Sequence, residues 1–310
     1  MPPVPALARL RGRLAAGGFA VTAEISPPRG ASTDPITKTA ALLRDWVDAV
    51  NVTDNQGSNA RLASWAGSLA AMAAGLEPVM QMTCRDRNRI ALQSDLLGAS
   101  ALGIRNFLVM TGDHPKHGDH PDAKPVFDLD STQLLAALRT MRDEHTLLSG
   151  RAVDPAPDCF LGAVENPFFP PVPVRDSRLG GKIAAGAQFV QTQFVFDVPA
   201  FGRWMDQVRD LGLAERCYIL AGVGAVRSQR ALDFMRDHVP GVEVPDAVYR
   251  RLTAVPAGQI AAEGARLAAE TIAQLTQIPG VAGVHLLAAG NERAVPAILD
   301  AAGVRAVKDR

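Results

Sequence analysis

The fold is decided by residues 77–113, EPVMQMTCRDRNRIALQSDLLGASALGIRNFLVMTGD. A short apolar run at 77–83 is followed at 86–101 by apolar residues spaced three and four apart, and then by a second apolar run at 106–113. That is the pattern of strand, helix, strand. A helix between two such runs joins parallel strands. Working outward, the same unit recurs. Strands are predicted at 19–25 (FAVTAEI), 49–54 (AVNVTD), 159–166 (CFLGAVEN), 188–197 (QFVQTQFVFD), 217–226 (CYILAGVGAV) and 283–290 (GVHLLAAG). Helices are predicted at 32–46, 59–74, 131–148, 174–185, 199–213, 228–237, 258–277 and 292–302. The nearly continuous apolar strands imply burial on both faces. The expectation is an α/β protein, one (β/α)8 TIM barrel over 1–310, with extra helices and a long polar loop after strand four, DHPKHGDHPDAKP at 113–125. A second polar insertion lies at 238–258. The rival, an open doubly wound sheet, calls for G-x-G-x-x-G after the first strand, and EISPPRGAS at 24–32 does not supply it.

Composition narrows the function. The 310 residues carry 32 Lys+Arg and 32 Asp+Glu, for zero net charge. With no basic block, neither nucleic acid nor an anionic membrane is an expected partner. No apolar stretch approaches the roughly 18 residues of a spanning helix. MPPVPALARLRGRLAAGGF at the start lacks an apolar core followed by a cleavage site, so a cytoplasmic location is expected. Three widely spaced cysteines, Cys84, Cys159 and Cys217, do not describe a disulfide framework and read as packed thiols.

In such a barrel the chemistry gathers where strands end. Polar residues concentrate there: Glu24, Thr53, Asp54, Asn55, Gln81, Thr83, Thr111, Gly112, Asp113, Glu165, Asn166, Gln191, Gln193 and Asp197. Asp54 and Asp86 also suit helix caps. Glu24 stands apart, because it is a carboxylate inside an apolar strand, where burial without a purpose is expensive. Gln193 interrupts TQFVF, where a buried amide needs a partner. His114, His117 and His120 lie in a Pro/Gly/Asp loop rather than on one helix face. They read as solvated loop histidines, and no metal site is expected.

Taken in order, EISPPRG (24–30), NVTDN (51–55), TCRDRN (83–88), TGD (111–113), KIAAGAQF (182–189), TQFVFD (192–197) and GVHLLAAGNER (283–293) resemble the methylenetetrahydrofolate reductase family. The resemblance implies a barrel that holds FAD, draws electrons from NADH or NADPH, and reduces 5,10-methylenetetrahydrofolate to 5-methyltetrahydrofolate. It makes Glu24 the acid that opens the folate's five-membered ring, and Asp113 a carboxylate facing both pterin and flavin. Gln193 becomes the amide on the pterin. Thr53, Gln81, Thr111, Gly112 and Lys182 become positions lining the flavin or its phosphates. The sequence also departs from the family pattern. Gln81 stands where many relatives have His, TGD stands where one branch has RGD, and Gly180-Gly181-Lys182 stands where a denser basic cluster is common. Two alternatives follow from these departures. One is a folate-binding barrel serving a partner methyltransferase or electron-transfer subunit. The other is a flavin-free reductase using NAD(P)H directly. A homo-oligomer is compatible with all three.

Overall fold

A computed structural model describes residues 8–169, 172–239, 241–288 and 290–305. Residues 1–7, Pro170 and Pro171 of the stretch after strand five, and Ala289 of the predicted eighth strand lie outside it. Eight strands close a barrel in sequence order: β1 (Ala20–Ile25), β2 (Ala49–Val52), β3 (Pro78–Thr83), β4 (Asn106–Met110), β5 (Phe160–Glu165), β6 (Phe189–Phe194), β7 (Tyr218–Gly224) and β8 (Val281–Leu287). Every neighbouring pair is parallel, and β1 pairs with β8, with Thr22 opposite His285. The helices are α1 (Arg9–Ala15), α2 (Asp34–Leu43), α3 (Ser64–Ala73), α4 (Arg89–Ala101), α5 (Ser131–Asp143), α6 (Val172–Ala185), α7 (Val198–Asp210), α8 (Gln229–His238), α9 (Asp246–Thr253), α10 (Ile260–Leu275) and α11 (Val295–Ala301). Among the described residues no helix is long and apolar enough to cross a membrane.

Two separate cores follow from the alternation of side chains along each strand. Outward residues such as Val21, Ala23, Val50, Met80, Leu161 and Val190 pack against the helices. Inward residues Ala20, Ala49, Val79, Leu108, Phe160, Phe189 and Leu220 form a smaller cluster with Leu10 and Leu14 of α1, which plugs the lower mouth. Phe160 and Phe189 stack there with ring centroids 5.0 Å apart. Gly162 makes room for them, since a Cβ at that position would lie 2.2 Å from the Phe189 ring. Burying each such ring contributes about 1.5–3 kcal/mol. The lower half of the barrel is thereby filled, and only the upper half is left for a ligand.

Several boundaries differ from the sequence expectation for local reasons. The helix predicted over 131–148 stops at Asp143, where His145 takes φ 55° and Thr146 pairs antiparallel with Ala152. Strand four ends at Met110, ahead of Gly112 with φ 89°. Asp197, at the predicted end of strand six, instead accepts from the Ala200 N–H and caps α7. The insertion at 238–258 contains α9, and α1 was not predicted at all. The three cysteines are buried and unbridged, as packed thiols.

Candidate active site

The C-terminal ends of the strands surround a cavity of about 520 Å³. All eight residues expected at a site, Glu24, Thr53, Gln81, Thr111, Gly112, Asp113, Lys182 and Gln193, line it. Seven come from strands or strand exits spread around the barrel and Lys182 from α6, and closure of the sheet brings them together.

Glu24 projects inward from β1 and is 8% exposed. It accepts from Gln56 Nε2 at 3.2 Å and from Gln81 Nε2 at 3.5 Å. Burial pushes its pKa up to about 7; the nearby Glu292 carboxylate adds to that rise, and the two amides oppose it. An amide can offer either its N–H or its oxygen. These partners therefore serve a carboxyl group in both protonation states.

The β2–β3 rim is built by TCRDRN. Buried Asp54 accepts from the Thr83 N–H and hydroxyl, each at 2.9 Å, and pairs with Arg87. Arg85 holds Asp86 through two parallel bonds of 2.8 Å. Asn88, rather than Asp86, caps α4 by accepting from the Ile90 and Ala91 N–H groups. Asp54 and Asp86 therefore brace the rim and cap no helix. Thr53 lies beside this scaffold with its hydroxyl buried and without a partner.

At the end of β4, Gly112 has a left-handed backbone, and a Cβ there would come 3.0 Å from that of Thr83. Glycine is needed on both counts. Thr111 donates to the Ser131 hydroxyl at 3.2 Å. Asp113 is exposed at the rim, and its backbone carbonyl accepts from Ser58 Oγ at 2.8 Å. Among the described residues its carboxylate has no partner, so it is free to accept from a ligand. On β6, Gln193 Oε1 accepts its neighbour's N–H, that of Phe194, at 3.1 Å, which leaves the Gln193 NH2 for the cavity.

Beneath the cavity lies a polar layer that crosses the barrel. Asn51 and Gln191 exchange two amide bonds of 2.6 and 3.1 Å, and Gln191 Nε2 also donates to Thr22 Oγ at 3.2 Å. Thr22 Oγ meets His285 Nδ1 at 2.9 Å. Burial drives the His285 pKa down to about 3, so this imidazole is neutral. His285, Gln56 and Arg178 line the cavity but were not among the residues expected there. For His285 the signal was the one that exposed Glu24, a polar residue inside an apolar run (GVHLL, 283–287). Gln56 and Arg178 sit in a loop and on a helix, where a polar residue is ordinary.

The FAD implied by the resemblance meets this geometry unequally. The unpartnered Thr53 hydroxyl and the side-chain-free backbone at Gly112 would suit its flat ring. Its diphosphate does not fit. Lys182 Nζ is spent on Glu165 Oε2 at 3.0 Å and on the Val164 carbonyl at 2.6 Å, and Arg178 Nη2 faces Glu165 Oε1 at 3.5 Å. Among the described residues no group of three or more His, Cys, Asp or Glu is placed to hold a metal ion.

Comparison with known proteins identifies the family. The sequence profile described as Methylenetetrahydrofolate reductase matches residues 9–303. A protein named "Probable methylenetetrahydrofolate reductase (NADPH)" from Caenorhabditis elegans is 23% identical over 294 residues, 91% of this chain and 42% of its own length. "Methylenetetrahydrofolate reductase 2" of Schizosaccharomyces pombe is 25% identical over 203 residues, 64% of this chain and 31% of its own length. The chain thus spans well under half of these relatives. Among solved structures, a protein from Clostridium thermocellum, described as binding two copies of 5-methyl-5,6,7,8-tetrahydrofolic acid, superposes with TM-score 0.63 at 13% identity, over 94% of this chain and 98% of that one. DmoA from Hyphomicrobium sulfonivorans superposes with TM-score 0.53 at 11% identity, over 91% of this chain and 86% of that one. These two likenesses speak to the fold alone.

Proposed function

The chain belongs to the methylenetetrahydrofolate reductase family, and from that premise we propose that it reduces 5,10-methylenetetrahydrofolate to 5-methyltetrahydrofolate, with Glu24 as the proton donor. The observation that carries this reading is the Glu24 carboxyl on the cavity wall, with its pKa raised to about 7 and amide partners on both sides. A general acid works best when its pKa lies near the working pH.

The chemistry asks for such a group. The closed five-membered ring of the folate resists hydride. Glu24 gives its proton to N10, the bond between N10 and the methylene carbon breaks, and a cationic iminium remains on N5. A hydride added to that carbon yields the N5-methyl group, and Glu24 regains a proton from solvent. The Glu24 carboxylate left after transfer also stabilises the cation. Asp113, with its carboxylate unpartnered, suits the side-by-side N–H donors of the amino-pyrimidinone edge, which a carboxylate accepts in pairs. The free NH2 of Gln193 supplies a donor to the ring's acceptor atoms.

The resemblance names FAD as hydride carrier and NADH or NADPH as electron source. A flavin ring would supply hydride from beside Thr53 and Gly112. The ion pairs that Lys182 and Arg178 make with Glu165 weigh against tight retention of any dinucleotide diphosphate, that of NAD(P)H included, and so favour the flavin-free alternative, whose carrier needs to bind only for turnover, over a resident FAD. The test is folate-dependent oxidation of NADH or NADPH by the purified chain, with 5-methyltetrahydrofolate identified as product and free flavin present or absent. Turnover with the nicotinamide alone is the expected result. A protein that binds 5-methyltetrahydrofolate yet stays inactive in every combination is instead a folate module serving a partner subunit.

A further inference from the structure

Among the described residues, every cation lining the cavity already faces a carboxylate. Arg85 holds Asp86, while Lys182 and Arg178 converge on Glu165. Glu165 ends β5 and is 4% exposed. Its Oε2 accepts from Lys182 Nζ at 3.0 Å. Its Oε1 accepts the Asn166 N–H at 2.9 Å and lies 3.5 Å from Arg178 Nη2. The lysine gives a further donor to the Val164 carbonyl at 2.6 Å. A carboxylate therefore already takes the Lys182 ammonium and lies beside the Arg178 guanidinium, whose buried Nε is the one donor there left without a partner among the described residues.

We propose that Glu165 is a built-in counter-ion standing in the place of a cofactor diphosphate, so that this chain holds no resident dinucleotide and its electron carrier binds only in passing. The proposal rests on the reductase reading for the identity of the carrier as a redox dinucleotide. The same electrostatics act on any phosphate. Among the described residues, two cations against one carboxylate leave one net positive charge at this corner, to meet the two negative charges of a diphosphate. A phosphate arriving at Lys182 either lies beside Glu165 or draws the lysine away. The first outcome sets like charges together. The second strands a buried carboxylate, and breaking one side of a buried ion pair is far more costly than breaking an exposed one. Neutral parts of a ligand, a pteridine or a nicotinamide ring, carry no such penalty.

Removal of the Glu165 charge is then a gain of function. The purified full chain is titrated with FAD, followed by flavin fluorescence, and with ADP, which carries the diphosphate without a redox ring. Glu165→Gln is expected to bind both about tenfold tighter or more than the unaltered chain, because Lys182 and Arg178 are released. Glu165→Ala should do the same. Adding Lys182→Gln to Glu165→Gln should abolish most of the gain, a result that a general loosening of the cavity would not produce. If neither single variant folds, the unaltered chain decides: flavin lost on gel filtration supports the proposal. One FAD retained per molecule through gel filtration overturns it, as does a Glu165→Gln protein that folds and binds ADP no tighter. Binding of 5-methyltetrahydrofolate is measured on the same samples. Failure of the unaltered chain to bind it counts against the reductase reading and leaves the counter-ion argument standing.

Discussion

Glu24 and Glu77 are buried carboxyl groups at opposite ends of one barrel, and burial lifts both to about 7. Their surroundings differ in kind. Glu77 sits just before β3 beneath α1 and accepts from the backbone N–H groups of Arg9 and Leu10, at 2.5 and 3.0 Å, and from Asn106 Nδ2 at 2.6 Å. Asn106 is held in that orientation because its Nδ2 also donates to the Pro78 carbonyl at 3.0 Å. Every partner of Glu77 is thus a fixed donor, suited only to an acceptor. Glu24 faces the Gln81 amide, which can reverse, and the Gln56 amide, whose Oε1 accepts from the Ser26 hydroxyl at 2.7 Å, a group that can itself turn from donor to acceptor; and it opens on the cavity. A raised pKa by itself marks burial; reversible partners and access to a ligand are what mark a proton donor. Glu77 serves to fasten the α1 plug, and Glu24 is placed to lose and regain a proton.

The sharpest way to break this contrast is to neutralise the upper carboxyl. Glu24→Gln should lower turnover at least about 10²-fold, the scale of general acid catalysis. Its affinity for 5-methyltetrahydrofolate should stay within about threefold, since the amide preserves shape and polarity. Steady-state kinetics with parallel binding measurements checks both. Retained turnover would place the two glutamates in the same structural class.

The lower carboxyl should answer with stability instead. Glu77→Ala strands two helix N–H donors and an asparagine amide, and should cost about 2 kcal/mol of folding free energy, or several degrees of Tm. Turnover per folded molecule should remain within about twofold. The pH dependence has a definite sign. A carboxyl whose folded pKa is raised binds more protons folded than unfolded. Its stabilising contribution is fully present below about 4.5 and is lost as pH rises through about 7. The unaltered chain should lose thermal stability over that window, and Glu77→Ala should lose less.

Much of this was legible in the chain, and the reasons are physical. The barrel could be read because each strand is a short apolar run followed by a helix-periodic segment, and that alternation admits few architectures. Glu24 could be read because an acid inside FAVTAEI has no cheap explanation. Glu77 could not. It begins EPVMQMT, where an acidic residue before a strand looks like an ordinary solvated turn, and Leu10 of the helix that buries it lies 67 residues away in sequence. The Glu165 ion pairs were equally hidden, because Lys182 lies 17 positions after Glu165 and only the packing of α6 beside β5 brings them together. Polar residues can be found in sequence when they violate a local pattern. When they obey it, their partners emerge only from the fold.

The finest test of the contrast concerns the partners themselves, and it has the smallest expected effect. If Glu24 is the acid, turnover should fall as pH rises through about 7, because the group must be protonated to give its proton. Gln81 opposes the rise in that pKa by donating to the ionised form across 3.5 Å. Gln81→Leu removes the donor, so the neutral form gains and the alkaline limb should move to higher pH. A long hydrogen bond contributes little, so the expected displacement is roughly half a pH unit. The measurement is a pair of pH–rate profiles for turnover, the unaltered chain against Gln81→Leu. An upward shift ties the limb to a carboxyl held by that amide. A limb that stays in place, or moves to lower pH, assigns the titration to another group and removes the reversible amide from the account of why Glu24 and Glu77 differ.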